Sequence, residues 1–322
     1  MKLIIQIPSY NETASIGATL AALPRRLEGF SAVEFLVVDD GSSDGTAEAA
    51  RRAGADHVLR LGRHLGLAKA FSAGIHYALS LGADVIVNTD ADNQYVAGDI
   101  PALVGPVLRG EAHLSIGDRR PRATPYYSRT KKVVHALGSR VLSLLFSMEI
   151  PDAPSGFRAL SREYAERRVV YGTYTYTVET LFHALDNNYR VRFVPVGVNP
   201  PLRPSRLFTS ALSYAGKLAL TSSEIYLFYR PLSFFALLSA FTVLPGFGVF
   251  LWLLRQGTID PAQFALASLL LGTLALVFLS AGILCRLLKA NRQTLEQVLF
   301  LRRRGADSPP GGTPAPEDHR GR

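Results

Sequence analysis

Two carboxylates and an amide follow an apolar run over residues 84–89 and could hold a divalent cation. Asp90 and Asp92 are two residues apart, and Gln94 follows two residues later. Mg²⁺ and Mn²⁺ prefer oxygen ligands and commonly share them with substrate phosphates. The stretch is therefore compatible with a cation-bound diphosphate. It is also compatible with a solvated acidic turn, because Asp-x-Asp alone is not specific.

Two further polar clusters follow apolar runs nearer the N-terminus. Pro8, Tyr10 and Glu12 offer an aromatic face and a carboxylate, and Asp40 precedes a turn rich in glycine and serine. Glycine permits close approach of the backbone, and Asp40 could accept hydrogen bonds from a base or a ribose. An ordinary strand-to-helix turn is the alternative for each cluster alone. Three polar clusters after successive apolar runs favour one shared site.

Apolar runs alternate with helical patterns over the first 200 residues, and this alternation predicts an α/β fold. We expect strands at Leu3–Ile7, Val33–Val38, His57–Leu61 and Asp84–Thr89, with helices at Thr13–Leu23, Thr46–Ala53 and Ala68–Leu81. Strands separated by helices imply a Rossmann-like, mostly parallel sheet with helices on both faces. Ligands of such sheets bind beyond the carboxyl ends of the strands, where the three polar clusters fall.

Composition excludes several classes of protein. With 48% hydrophobic and 19% charged residues, the chain of 322 residues is neither disordered nor collagen-like. Its one cysteine, Cys285, excludes a disulfide framework and a cysteine-based zinc site. The N-terminal apolar run is too short for a signal peptide, so we expect no export of the N-terminal domain. The net charge of +9 would suit either nucleic acid or a membrane surface.

Two uncharged apolar segments favour the membrane over nucleic acid. Leu232–Leu254 and Ala262–Cys285 contain 23 and 24 residues, and a helix of about 20 apolar residues crosses a bilayer. A pair of buried helices in a soluble domain is the alternative, although such helices normally carry a polar stripe. Basic residues flank the pair on both outer sides. The positive-inside rule therefore predicts a multi-pass protein of the cell membrane with its N-terminal domain in the cytoplasm.

These features predict four regions along the chain. They are a cytoplasmic α/β domain over residues 1–205, juxtamembrane interfacial helices over 206–230, a two-helix transmembrane anchor over 231–288, and a basic, partly disordered cytoplasmic tail over 289–322.

A basic stretch precedes another apolar helical run, Val141–Met148. Its cations are Arg129, Lys131, Lys132 and Arg140. We interpret the stretch as an interfacial helix that guides a lipid phosphate, and a solvated basic helix over an ordinary core is the alternative. A phosphomonoester is already anionic near neutral pH, so as a nucleophile it needs cationic groups to hold it rather than a general base.

The order of the motifs resembles the inverting family 2 glycosyltransferases. PSYNE, VDDGSSDGT, HLGLAKAFSAGI and NTDADNQY follow one another, and GDRR, DAPSGFR and RPSRLF resemble the polyprenyl-phosphate branch, typified by dolichyl-phosphate mannose synthase. The resemblance covers about residues 3 to 230. It implies a GT-A fold, a nucleotide-diphosphate sugar such as GDP-mannose or a UDP-hexose as donor, Mg²⁺ or Mn²⁺ as cofactor, and polyprenyl or dolichyl phosphate as acceptor.

The resemblance also implies roles for individual residues. The donor would contact Pro8, Tyr10, Glu12, Asp40, Asp90, Ala91, Arg119, Arg203 and Arg206. The cation would be held by Asp90, Asp92 and Gln94, and the catalytic residues would be Asp90, Asp92 and Arg119. The lipid phosphate would contact Arg119, Arg129, Lys131, Lys132, Arg140 and Arg158.

Other functions remain as alternatives. A family 2 transferase that extends a polysaccharide or adds a sugar to a glycolipid is the nearest, although the Gln-x-x-Arg-Trp signature of processive members is absent, because the only tryptophan, Trp252, lies in an apolar segment. A catalytically inactive membrane scaffold and a homo-oligomer are also compatible with the sequence. A nicotinamide-binding fold is disfavoured because the first turn lacks Gly-x-Gly-x-x-Gly. Nucleic-acid binding has only the bulk charge in its favour.

Overall fold

The computed structural model describes residues 1–121, 123–124, 127–146, 148–167, 176–200, 226–227 and 230–306. Contacts within the chain define two compact units, Met1–Phe234 and Phe235–Arg322. The first unit contains a seven-stranded sheet, and the second contains most of two long helices. The prediction for Arg203 and Arg206, and most of the predicted interfacial region 206–230, lie outside the described residues.

The sheet of the first unit is mixed but mostly parallel. Its strands are β1 Lys2–Ser9, β2 Ala32–Asp39, β3 His57–Arg60, β4 Val85–Asn88, β5 Leu114–Asp118, β6 Arg158–Ser161 and β7 Val191–Pro195. They lie in the order β3-β2-β1-β4-β6-β5-β7. Strands β1 to β4 pair in parallel, as do β5 and β7, whereas β6 runs antiparallel to both of its neighbours. This arrangement confirms the predicted fold class.

Helices cover both faces of the sheet. They are α1 Ile16–Ala22, α2 Thr46–Arg52, α3 Leu67–Ser80, α4 Ile100–Leu108, α5 Arg129–Phe146, α6 Arg162–Arg167 and α7 Tyr176–Asp186. Successive residues of β1 point to opposite faces, so Ile4 packs in one apolar core and Ile5 in the other. Phe71 of α3 lies in the first core and Ile16 of α1 in the second. The sheet therefore holds its strand ends rigidly between two layers of helices.

One helix extends well beyond its apolar run. The sequence predicts a helix at Val141–Met148 and interprets the basic stretch before it as an interfacial helix, and α5 covers that stretch and most of the apolar run, from Arg129 to Phe146. The inner face of α5 carries histidine and serine side chains, whose partners lie in the segment 150–152. An apolar period alone does not reveal such a face.

The second unit is built from two apolar helices, α8 Pro231–Arg255 and α9 Pro261–Ala306. The segments Pro231–Arg255 and Pro261–Asn291 are long and apolar enough to cross a membrane, and stretches of 18 residues within them have mean hydropathies of 2.1 and 2.3. Their apolar side chains are exposed, as Phe241 and Leu276 illustrate. Gly246 allows close packing of α8 on α9, because a Cβ there would lie 3.2 Å from the side chain of Leu271.

Candidate active site

The candidate site lies where the strands β1, β2, β4 and β5 end. Asp90 follows β4 by two residues, Asp40 follows β2, and Arg119 follows β5. Pro8 is buried near the end of β1, and Tyr10 directly after that strand is exposed. The carboxyl ends of these parallel strands meet at one edge of the sheet, which is where α/β folds bind ligands. Every predicted donor residue in the described part of the chain follows or ends one of these strands.

Asp90 occupies a confined position between two other segments. A Cβ at Gly156 would lie 2.8 Å from Asp90 Oδ1 and 2.8 Å from the Tyr176 hydroxyl, so only glycine leaves room for the carboxylate. The Gly156 N–H donates to the Tyr95 hydroxyl over 2.8 Å, and Tyr95 hydrogen-bonds Asp90. Burial, and then the neighbouring charge of Asp92, raise the pKa of Asp90 to about 7 against the opposing effect of Arg119.

Asp92 is held by a tight turn that leaves its charge available. The Gln94 N–H donates to Asp92 Oδ1 over 3.1 Å, and the intervening Asn93 adopts a left-handed φ of 55°. The Gln94 carbonyl in turn accepts the Asn199 N–H over 2.8 Å. The turn therefore fixes the backbone of this acidic segment against the residues that follow β7.

The acidic segment suits a divalent cation shared with a diphosphate. Asp90 and Asp92 repel one another strongly enough to raise the pKa of Asp90, and a cation between them would relieve that repulsion. Across the described side chains, no group of three or more His, Cys, Asp or Glu residues could hold a metal by itself. Carboxylate and amide oxygens of Asp90, Asp92 and Gln94 fit Mg²⁺ or Mn²⁺ if phosphate oxygens complete the coordination.

Asp40 holds a loop as well as lining the strand end. Its carboxylate accepts the N–H groups of Leu65 and Gly66, each over 2.8 Å, and His64 Nδ1 lies 2.8 Å from Oδ2. The exposed His64 ring stacks on Tyr10 with centroids 3.9 Å apart. Asp40 is 2% exposed, so much of its accepting capacity serves this loop. Its contact with a base or ribose stays a prediction.

Glu12 and Ala91 lie in the turns that connect these clusters. The Glu12 N–H donates to Thr46 Oγ1 over 2.9 Å, and the Glu12 carboxylate accepts the Ser15 hydroxyl over 2.7 Å. The Ala91 carbonyl accepts the Thr19 hydroxyl over 2.8 Å. These bonds tie α1 and the turn before it to the start of α2 and to the turn after β4.

Arg119 is locked onto Asp152 by three hydrogen bonds. Its backbone N–H and Nε donate to Asp152 Oδ2 over 3.1 and 2.7 Å, and Nη2 donates to Oδ1 over 2.8 Å. Burial would raise the pKa of Asp152, but the charge and hydrogen bonds of Arg119, with His135, hold it well below its usual range. The guanidinium also lies 6.0 Å from the centre of the Tyr95 ring. Arg119 is thus oriented beside the segment that carries Asp90.

Helix α5 presents an apolar stripe to solvent. Val133, Leu137, Val141 and Leu144 are 66%, 64%, 42% and 74% exposed, at spacings that place them on one side of a helix. Arg140 is exposed and Lys132 partly exposed. Arg129 and Lys131 belong to α5, but their side chains lie outside the described part of the structure. An exposed apolar stripe with cations beside it is typical of an interfacial helix.

The position of Arg158 corrects one prediction. Its guanidinium is fully buried and donates to the carbonyls of Ser155 and Ala153 and to Thr180 Oγ1. A lipid phosphate does not reach such a group, so the predicted direct contact is not supported. Arg158 instead organises the segment that ends in Gly156.

Three residues of the site were not singled out as candidates from the sequence. Asp152 stands in the motif DAPSGFR without an assigned role, Tyr95 directly follows the acidic segment, and His135 lies between Lys132 and Arg140. The contact of Asp152 with Arg119 depends on how the segment before β6 folds toward β5, and the sequence analysis did not place β6. The only sign of a role in their sequence positions was that Asp152 and Tyr95 lie in or directly after the motifs.

Comparisons with known proteins agree on one relationship. The family model described as glycosyl transferase family 2 matches residues 4–169. An undecaprenyl-phosphate mannosyltransferase of Micrococcus luteus is 33% identical over 165 residues, covering 49% of this chain and 66% of the relative. A polyprenol monophosphomannose synthase of Mycolicibacterium smegmatis is 32% identical over 208 residues, covering 60% and 76%.

Solved structures show the same fold. Glucosyl-3-phosphoglycerate synthase from Mycobacterium tuberculosis, crystallised with Mn²⁺, UDP and glucosyl-3-phosphoglycerate, superposes with a TM-score of 0.52 and 21% identity. The similarity covers 70% of this chain and 78% of that structure.

Proposed function

This chain belongs to glycosyl transferase family 2, and from that premise we propose that it transfers a hexose from a nucleotide-diphosphate sugar to a polyprenyl phosphate. The observation that carries the proposal is the meeting of Asp90, Asp92 and Arg119 at one sheet edge, in the unit whose helix α5 exposes an apolar stripe. Relatives whose names specify undecaprenyl phosphate and polyprenol as acceptors support it. The charge pattern supports the cytoplasmic face of the membrane.

In the proposed reaction, the anionic lipid phosphate attacks C1 of the sugar from the face opposite the leaving diphosphate. A new C1–O bond to phosphate forms as the C1–O bond to diphosphate breaks, which inverts the configuration. Because the nucleophile carries no proton to remove, the chain needs no general base. Arg119 stabilises the phosphate charge that develops, from the orientation that Asp152 imposes on it.

The acidic segment would hold a divalent cation on the donor. Asp90, Asp92 and Gln94 supply oxygen ligands, and Tyr95 and Gly156 fix the position of Asp90. A bound cation would supply Lewis-acid stabilisation of the negative charge on the departing diphosphate. A solved neighbour with the same fold was crystallised with Mn²⁺ and UDP, which supports this assignment.

Cation binding should strengthen as pH rises toward neutrality. Since the pKa of Asp90 is about 7 in the absence of a cation, a proton competes with the cation below that pH. We expect the apparent affinity for Mn²⁺, measured calorimetrically with nucleoside diphosphate present, to rise about fivefold from pH 6 to 7, to rise about a further twofold above pH 7, and then to level off. An affinity that is constant between pH 5.5 and 8 would contradict this role for Asp90.

The apolar stripe of α5 should matter for a lipid acceptor and not for the donor. Replacing both Leu137 and Leu144 with glutamine removes apolar area that would enter the membrane interface. We expect the KM for polyprenyl phosphate in vesicles to rise about tenfold, with an unchanged KM for the donor. Tyr77→Gln on α3 is the control, since that exposed ring lies on another helix. If Tyr77→Gln raised the KM for the acceptor as much as the double variant does, the result would argue against an interfacial α5.

The lipid product provides the direct test of the proposed function. Membranes that contain the chain are supplied with labelled GDP-mannose or UDP-hexoses, Mg²⁺ or Mn²⁺, and polyprenyl phosphate. We expect label in a lipid that releases its sugar in mild acid, because a glycosyl phosphodiester is acid-labile. An acid-stable glycolipid would indicate the alternative transferase, and binding of the nucleotide sugar without any transfer would indicate an inactive scaffold.

A further inference from the structure

Helix α5 is joined to the segment that orients Arg119 by a row of three polar contacts. His135 Nε2 lies 3.2 Å from Asp152 Oδ1. One helical turn later the Ser139 hydroxyl donates to the Pro151 carbonyl over 2.9 Å. After another turn, Ser143 Oγ accepts the Ile150 N–H over 2.9 Å. The helix positions rise by four while the partner positions fall by one, so the two segments run side by side in opposite directions.

His135 is the member of this row that reaches the site. Its side chain is 4% exposed and that of Asp152 is fully buried, so the contact is shielded from water. Asp152 Oδ1 also accepts from Nη2 of Arg119, and Oδ2 accepts from its Nε. His135 Nε2 on one side and the guanidinium on the other confine the carboxylate between them.

We propose that His135 is a positioning residue that fixes Asp152 against Arg119 and thereby ties the orientation of the active-site arginine to helix α5. The inference rests on the proposed function, in which Arg119 stabilises the phosphates. It assigns to the buried face of α5 a role separate from that of the exposed stripe. The Val133–Leu144 side of the helix meets the lipid, and the His135–Ser143 side transmits the position of the helix to the site.

Two amide substitutions at His135 test whether a polar group must reach Asp152 or whether any polar side chain at this position is sufficient. Glutamine places its Nε2 amide near the position of the histidine Nε2, whereas the amide of asparagine ends near the position of Nδ1 and does not reach Asp152. We expect His135→Asn to lower kcat about tenfold with little change in donor KM, and His135→Gln to stay within about threefold of the wild type. His183→Phe, which removes another buried histidine on α7, should lower thermal stability without lowering kcat.

A double-mutant cycle with Arg119→Lys tests whether His135 acts through the arginine. Lysine cannot make the paired contacts with Asp152 that the guanidinium makes. If His135 works through Arg119, His135→Asn should cost little more once Arg119 is lysine, so the double variant should match Arg119→Lys alone. Multiplicative losses, or equal kcat for His135→Asn and wild type, would overturn the proposal.

The activity of the wild type distinguishes a failure of this inference from a failure of the proposed function. If the wild type does not glycosylate polyprenyl phosphate, the proposed function fails, and the cycle is measured on transfer of the donor sugar to water, which needs the same stabilisation of the leaving diphosphate. If His135→Asn does not fold, the proposal is tested by a double-mutant cycle that combines His135→Gln with Arg119→Lys. A large loss in His135→Gln that multiplies with Arg119→Lys would contradict it.

Discussion

Replacing Asp92 with asparagine is expected to reduce transfer by about 10³-fold or more while the protein remains folded. Asparagine retains the Oδ1 that accepts the Gln94 N–H over 3.1 Å, so the turn after β4 should persist. The substitution removes the negative charge and replaces a carboxylate of the proposed cation site with a neutral amide. The loss should appear in kcat measured with saturating donor and Mn²⁺.

The control for this variant is Glu111→Gln, which removes an exposed carboxylate at the opposite end of β5. Glu111 pairs with Arg109 near the surface, so its loss should leave turnover unchanged. Thermal unfolding of both variants checks that they fold as the wild type does. Turnover of Asp92→Asn within about tenfold of the wild type would remove Asp92 from the proposed cation site.

The strand ends could be predicted because their signal is local. β4 is a short apolar strand, Val85–Asn88, that is buried on both sides, and Asp90 and Asp92 come directly after it. Parallel pairing of β4 with β1 then brings this acidic segment to the sheet edge where β1 also ends, before Tyr10 and Glu12. A run of apolar residues followed by carboxylates indicates both where the strand ends and that charged groups lie at its end. The sequence therefore predicted that this acidic segment follows the end of a buried strand.

The partners of the charged groups could not be predicted because they lie far apart in the sequence. Arg119 and Asp152 are 33 positions apart, and their contact depends on the antiparallel strand β6. Asp40 meets the amides of Leu65 and Gly66, which lie 25 and 26 positions further on. Residue types alone therefore showed which groups carry charge but not which charges are already neutralised. Arg158 is the clearest case, since its burial is invisible in the motif.

Asp152→Asn is expected to lower both stability and activity, because it leaves the Arg119 guanidinium without its counter-ion. The Arg119 side chain is 12% exposed and that of Asp152 is fully buried. Removal of one partner of such a pair typically costs about 3 kcal/mol of unfolding free energy, and the freed arginine should lose its orientation. We expect kcat to fall by about 10²-fold. Asp84→Asn, which alters a carboxylate that accepts the Lys2 N–H outside the site, is the matched control.

The stability cost of Asp152→Asn should depend on pH in a direction that the pKa fixes. Because the folded state holds the pKa of Asp152 well below its usual range, the carboxylate contributes stability above about pH 4, the ordinary pKa of aspartate. That contribution is lost as pH falls further, whereas asparagine does not titrate. The difference in unfolding free energy between wild type and Asp152→Asn, measured in denaturant, should therefore be largest near neutrality and shrink in acid. A difference that stays constant from pH 7 down to pH 3 would mean that the ion pair with Arg119 does not stabilise the fold.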